Sequence, residues 1–149
     1  MKLLVMRHGE AELNARTDSD RSLTSCGRAR VVVVARRLSQ MGLRVEESMV
    51  SPYLRARQTA AIMSQTLGGF WPEQVSDAIT PNQSPERATV AIAECFDNIG
   101  IGLVVMHQPI ISRLLYYLTG QDQSMETANL AVIEAPKILI GCCELECVI

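Results

Sequence analysis

The sequence predicts an α/β fold: a three-layer sandwich with a mostly parallel central sheet, helices on both faces and no capping domain. Three observations lead there. Short, unbroken apolar runs of strand length alternate with longer segments whose apolar residues recur at helical spacing. The apolar runs do not alternate with polar residues, as expected of strands covered on both faces. Residues AVILMFWYC make up 48% of the 149, against 20% charged, enough core for a single domain over residues 1–149.

Taken in order, Lys2–Met6 (KLLVM) is a buried strand. From about Thr24 to Met41 the chain lacks Pro, and its last Gly is Gly27. Val31, Val34, Ala35, Leu38 and Met41 fall on one helical face, and Gly42 suits the helix end. The Val31–Val34 run has strand propensity, but its length and flanking arginines favour helix. Ser48–Val50 is a short strand ending at Ser51-Pro52, and Pro52 suits a helix start. Ala56, Ala60, Met63 and Leu67 stripe that helix until Gly68-Gly69 breaks it. Gln74–Asp77 is a short strand. Ser84, followed by Pro85 and Glu86, is an N-cap with acid in the first turn. Thr89, Ile92, Ala93, Phe96 and Ile99 line the next helix, Leu103–Met106 is a buried strand, and Pro109 opens a helix bearing Ile110, Leu114, Leu115 and Leu118 up to Gly120. Leu130–Glu134 and Ile138–Cys147 complete the expected strands.

Composition excludes several function classes. Net charge is −2, with no basic stripe, which argues against a nucleic-acid binder. No apolar run approaches the roughly 20 residues of a membrane span, and Met1–Met6 runs straight into Arg-His-Gly-Glu with no cleavage site, so a cytoplasmic, membrane-free monomer is expected. Five cysteines, Cys26, Cys95, Cys142, Cys143 and Cys147, contain no CxxC pair. The last three read as small side chains of the final strand rather than metal ligands or a disulfide framework.

Ligands of open α/β sheets sit beyond the carboxyl ends of the strands. The chain has two histidines, and both follow strands: Arg7-His8-Gly9-Glu10 after Met6, and His107-Gln108-Pro109 after Met106. A third strand end, after Val50, carries Ser51-Pro52-Tyr53-Leu54-Arg55-Ala56-Arg57-Gln58-Thr59-Ala60. The basic residues are also skewed, with 12 Arg and only Lys2 and Lys137, and arginine suits a bidentate grip on phosphate or carboxylate.

These motifs, with Leu23-Thr24-Ser25-Cys26-Gly27 opening the first helix, resemble the histidine phosphatase superfamily over about residues 3–118. The short length and the missing insertion between Leu67 and Leu103 resemble its small members, the SixA-type phosphohistidine phosphatases. The resemblance implies His8 as the nucleophile that takes the phosphoryl group, its other ring nitrogen held by a carbonyl such as that of Gly9. It implies Arg7 and Arg55 as phosphate-gripping arginines, and His107, protonated, as a donor to the phosphoryl group. Asn14 falls where larger members carry a phosphate-side Asn. Gly9 would let the backbone approach the ligand. Arg57, two residues beyond Arg55, points elsewhere, Ser51 reads as a loop cap that could also contact phosphate, and Asp18, Asp20 and Arg21 belong to a solvated loop at the rim. No cofactor and no metal are expected, since the arginines and the second imidazole neutralise the charge.

Many members of the superfamily place a Glu proton donor after the second helix, where this chain reads Asp77-Ala78-Ile79-Thr80-Pro81. An alkoxide leaving group needs such an acid. An imidazole, with its conjugate acid near pH ~6.5, needs far less help. The resemblance therefore implies a phosphohistidine on a partner protein, a phosphotransfer domain or phosphocarrier, as substrate. The alternatives are a small-molecule phosphomonoesterase using Asp77 or Glu86 as the acid, and a phosphate-recognising module without turnover.

Overall fold

The structure, a computed structural model, describes residues 1–149. Six strands form one sheet: β1 (Lys2–Arg7), β2 (Glu47–Val50), β3 (Glu73–Val75), β4 (Ile101–Met106), β5 (Leu130–Glu134) and β6 (Glu144–Val148), in the order β3-β2-β4-β1-β5-β6. β3, β2, β4 and β1 pair in parallel, while β5 and β6 add antiparallel. The helices are α1 (Ser25–Gln40), α2 (Leu54–Leu67), α3 (Pro85–Cys95) and α4 (Ile110–Thr119).

Strand alternation splits the interior into two cores. Leu3 and Val5 of β1, with Val104 and Met106 of β4, pack with Ile92 of α3 and Leu114 of α4. Leu4 and Met6, with Leu103 and Val105, face Val31, Leu38, Ala56 and Met63 of α1 and α2 on the other side. The continuous apolar runs read in the sequence thus serve both layers at once.

The helix boundaries follow their caps. Thr24 Oγ1 accepts from the Gly27 amide at 2.9 Å, and Ser84 Oγ accepts from the Arg87 amide at 3.2 Å. Gly68 and Gly120 adopt left-handed conformations, with φ of 64° and 72°, immediately after α2 and α4. Met41, expected on the buried face of α1, is the C-cap and is exposed.

Two strand expectations need correction. Asp77 opens a 3-10 turn, Asp77–Ile79, capped by Ser76, so β3 ends at Val75. The predicted strand Ile138–Cys147 is instead a turn followed by β6. Gly141, at φ 64°, reverses the chain, and the Gly141 and Cys143 amides donate to the carbonyls of Tyr117 and Leu118 rather than to a sheet. Only Cys143 of the three C-terminal cysteines is buried, and no group of three or more His, Cys, Asp or Glu side chains is placed to share an ion.

Candidate active site

The three strands whose ends carry the motifs, β2, β4 and β1, are neighbours in the sheet. Their carboxyl ends therefore deliver Ser51, His107 and Arg7-His8 to one place. The ladder continues into the site: the His8 amide donates to the Met106 carbonyl at 3.0 Å, and the Ser51 amide to the Val105 carbonyl at 3.1 Å. The His8 and His107 rings lie 5.1 Å apart between centroids.

His8 is buried. Its Nδ1 lies 2.7 Å from the Gly9 carbonyl, and Arg55 Nε lies 3.1 Å from its Nε2. A carbonyl only accepts and a guanidinium only donates, so Nδ1 carries the proton and Nε2 presents its lone pair. Burial, with Arg55 and Arg7 nearby, pushes the ring down to about 4, so it is neutral at pH 7.

Arg55, in the first turn of α2, is buried and tied on three sides. Beyond His8, its Nη1 donates to the Asp18 carbonyl at 2.6 Å and its Nη2 to Asp18 Oδ2 at 3.2 Å. The Tyr53 ring lies 5.0 Å from the guanidinium carbon. Thr59, one turn along α2, donates to the Arg55 carbonyl and accepts from the Gly9 amide, joining α2 to the loop after β1.

Asp18 comes from the loop between β1 and α1. Its base is closed by an Ala11–Leu23 bridge and by Arg21, whose Nε donates to the Glu12 carbonyl and whose Nη1 donates to Asp18. The hydrogen bond from Arg21, then the one from Arg55, holds the Asp18 carboxyl below the usual carboxylate range.

Arg7 donates from Nη1 to the Met125 carbonyl at 2.8 Å, while its buried Nε has no partner. His107 is almost fully buried. Its Nε2 meets Ser51 Oγ at 2.6 Å, the edge-on Tyr53 ring lies 4.9 Å away between centroids, and its Nδ1 has no partner. Burial first, then His8 and Arg55, push this imidazole down to about 2. With no anion beside it, burial favours the neutral ring, still a donor through one N–H, over the protonated His107 that the resemblance implies.

The structure brings Arg7, His8, Arg55 and His107 together and leaves Asn14 outside. Asn14 is exposed on the β1–α1 loop and makes no hydrogen bond to the four. Asp77 and Glu86 are exposed and also lack bonds to the cluster. Arg57 is exposed beside Glu73, at 3.9 Å. A Cβ at Gly9 would lie 3.0 Å from the Gly27 carbonyl and from Val31, so its bareness also admits the start of α1.

The cluster also holds groups whose sequence signal points to another role or to none: Ser51 reads as a loop cap and Asp18 as part of a solvated rim loop, and Thr59 and Met125 carry no role there. Ser51 and Thr59 are buried hydroxyls, Asp18 is an anion within a polar loop, and the Met125 carbonyl is a backbone group that no side-chain pattern announces.

Comparison with known proteins agrees with this geometry. Residues 3–80 match the model of the histidine phosphatase superfamily, branch 1. The chain is 32% identical to the phosphohistidine phosphatase SixA of Escherichia coli over 132 residues, covering 87% of this chain and 81% of that one. It is 44% identical to an uncharacterized protein of Picosynechococcus over 86 residues, 56% of this chain and 52% of that relative, so this match spans about half of that protein. A solved structure of the protein histidine phosphatase SixA complexed with tungstate superposes with a TM-score of 0.93 at 26% identity, covering 100% of this chain and 96% of that one. By sequence and by fold, the chain belongs to the histidine phosphatase superfamily, branch 1.

Proposed function

We propose that the protein is a single-domain, monomeric phosphohistidine phosphatase of the cytoplasm. Its substrate is a phosphohistidine on a partner protein, a phosphotransfer domain or phosphocarrier, and its intermediate is a phosphorylated His8. The observation that supports this most directly is the state of His8: a neutral ring whose Nδ1 proton is tied to Gly9 and whose Nε2 lone pair faces a cationic cluster.

When substrate enters, Arg55 Nε–H turns from His8 Nε2 to a phosphoryl oxygen, freeing the lone pair. Nε2 forms a bond to phosphorus while the bond from phosphorus to the substrate imidazole breaks. The substrate imidazole, protonated by solvent on its other ring nitrogen, keeps the electron pair and departs as the neutral ring. Water then attacks phospho-His8, releasing inorganic phosphate and the neutral ring. Arg7 and Arg55 hold the equatorial oxygens, where charge spreads in the transition state. Gly9 keeps the Nδ1 proton in place, so the attacking nitrogen is the same in every turnover.

The leaving group decides between substrates. The one carboxylate hydrogen-bonded to the four residues is Asp18, which is engaged by Arg55 and Arg21 as an anion, while Glu126 acts on Arg7 through its charge alone. An imidazole that solvent has protonated on its far nitrogen departs neutral without an acid in the site, and an alkoxide does not. The relatives named for phosphohistidine phosphatase activity, one of them solved with the tetrahedral oxyanion tungstate, point the same way.

The test compares a phosphohistidine-bearing protein with sugar phosphates, in EDTA, with acid-stable and acid-labile phosphate counted separately. The expected result is turnover of phosphohistidine with a trapped, acid-labile phosphoenzyme that is lost in His8→Ala. Faster ester hydrolysis that disappears in Asp77→Asn, or wild-type turnover by His8→Ala, overturns the proposal.

A further inference from the structure

We infer that Ser51 is a positioning residue, which fixes His107 as the neutral tautomer protonated on Nδ1 and so turns an N–H donor on the phosphoryl group at His8.

The inference rests on accounting for buried polar groups. Ser51 is fully buried, so its hydroxyl hydrogen has no water to meet. Oγ has two neighbours within hydrogen-bonding distance, the Tyr53 amide at 3.4 Å and His107 Nε2 at 2.6 Å. The amide can only donate. The Ser51 O–H therefore has one acceptor available, His107 Nε2, and the imidazole proton must sit on Nδ1. The opposite tautomer would leave two buried defects, an O–H with no acceptor and an Nδ1 lone pair with no donor.

With the proton on Nδ1, the Ser51–His107 pair keeps one unpaired group, the Nδ1–H itself, which has no partner in the protein. A donor left over in a buried ring 5.1 Å from the His8 ring suits an oxygen of a phosphoryl group bound there. The Tyr53 ring, edge-on at 4.9 Å, limits rotation of the imidazole. Ser51 thereby does for His107 what the Gly9 carbonyl does for His8, with the direction of donation reversed. One ring is held to attack through Nε2, and the other is held to donate through Nδ1.

The role in turnover rests on the phosphatase reading, but the tautomer does not. The first measurement is therefore two-bond proton–nitrogen NMR of both imidazoles in the full, unliganded protein at pH 7. The expected result is Nδ1-protonated patterns for His8 and His107. Next come Ser51→Ala and Ser51→Thr. In Ser51→Ala the His107 pattern should average between tautomers while the His8 pattern stays unchanged, which also shows that the site is folded. Its kcat on a phosphohistidine protein should fall about 10- to 100-fold, the scale of weakening one transition-state donor, with KM within about threefold. Ser51→Thr, which keeps the hydroxyl, should recover most of that loss. An Nε2-protonated His107 in the wild-type protein, or wild-type kcat in Ser51→Ala, overturns the inference. Absence of phosphohistidine turnover by the wild-type protein would defeat the substrate reading alone and leave the NMR assignment standing.

Discussion

Arg55 Nε stands 3.1 Å from His8 Nε2, so the nitrogen proposed to attack accepts a hydrogen bond from a buried guanidinium. Together with burial, this contact keeps His8 Nε2 deprotonated. In the proposed mechanism Arg55 exchanges one partner for another during each turnover. Lysine cannot copy the exchange, having a point charge in place of a fork. Arg55→Lys is expected to lower kcat/KM on phosphohistidine protein by about 100-fold, and Arg55→Ala by about 1000-fold, from loss of preorganised charge. Steady-state rates with circular dichroism of each variant check this; a Lys variant within threefold of wild type would contradict the fork role.

Asp18 occupies two nitrogens of the same guanidinium and competes with an incoming anion. The carboxylate is more than half exposed, so its effect is modest. In Asp18→Asn, whose backbone carbonyl can still hold Arg55, inorganic phosphate should bind about two- to fivefold tighter at low salt. The difference should shrink in 0.5 M salt, as screening requires. Isothermal titration at two ionic strengths reads it, and weaker phosphate binding in the variant would show that the carboxylate serves the site instead of competing.

Both imidazoles lie below their ordinary value. Between pH ~6.5 and about 4 the unfolded chain binds a proton at His8 that the folded protein refuses, and for His107 the interval runs down to about 2. Stability is then full above pH ~6.5 and falls as the pH drops, by roughly 1.4 kcal/mol per unit for each ring. From pH 7.5 to 5.0 the urea-unfolding free energy should decline by about 2 to 4 kcal/mol in phosphate-free buffer. His8→Asn should remove about half of the slope. A flat profile over this range would exclude buried neutral imidazoles.

Gly27 has a purely steric duty. A Cβ there would fall 2.2 Å from the Glu10 carbonyl oxygen, backbone that cannot step aside. Gly27→Ala should lower stability by about 2 kcal/mol or more, as overpacking does. It should also reduce activity, since the displaced Glu10 adjoins Gly9 and His8. Thermal unfolding tests the first effect; an unchanged melting temperature would mean that the loop yields without cost.

The sheet was legible because its apolar runs are continuous, and the helices because Thr24, Ser84, Gly68 and Gly120 stand where caps must. The last strand was not. Ile138–Cys143 has strand propensity, but Gly141 turns it, and its amides bond to the end of α4, a tertiary choice that no local pattern encodes. In the site, the strand ends marked the motifs and the resemblance to the superfamily pointed to His8, Arg7, Arg55 and His107, which the adjacency of β2, β4 and β1 brings together. Gly9 and Gly27 were visible in the sequence while their shared task was not, because it lies between two segments. Ser51 was seen as a cap, and its Tyr53 contact agrees. Its bond to His107 joins residues 56 positions apart and leaves no local trace.

The amides of His8 and Ser51 are bonded to β4 just as strand residues are. Local fluctuations that open a surface loop leave such hydrogens untouched, so their exchange with deuterium must await rupture of the sheet's centre. The reacting groups are thus fastened to the last part of the molecule to let go, and a partially melted protein with its chemistry erased but its middle intact has little room to exist.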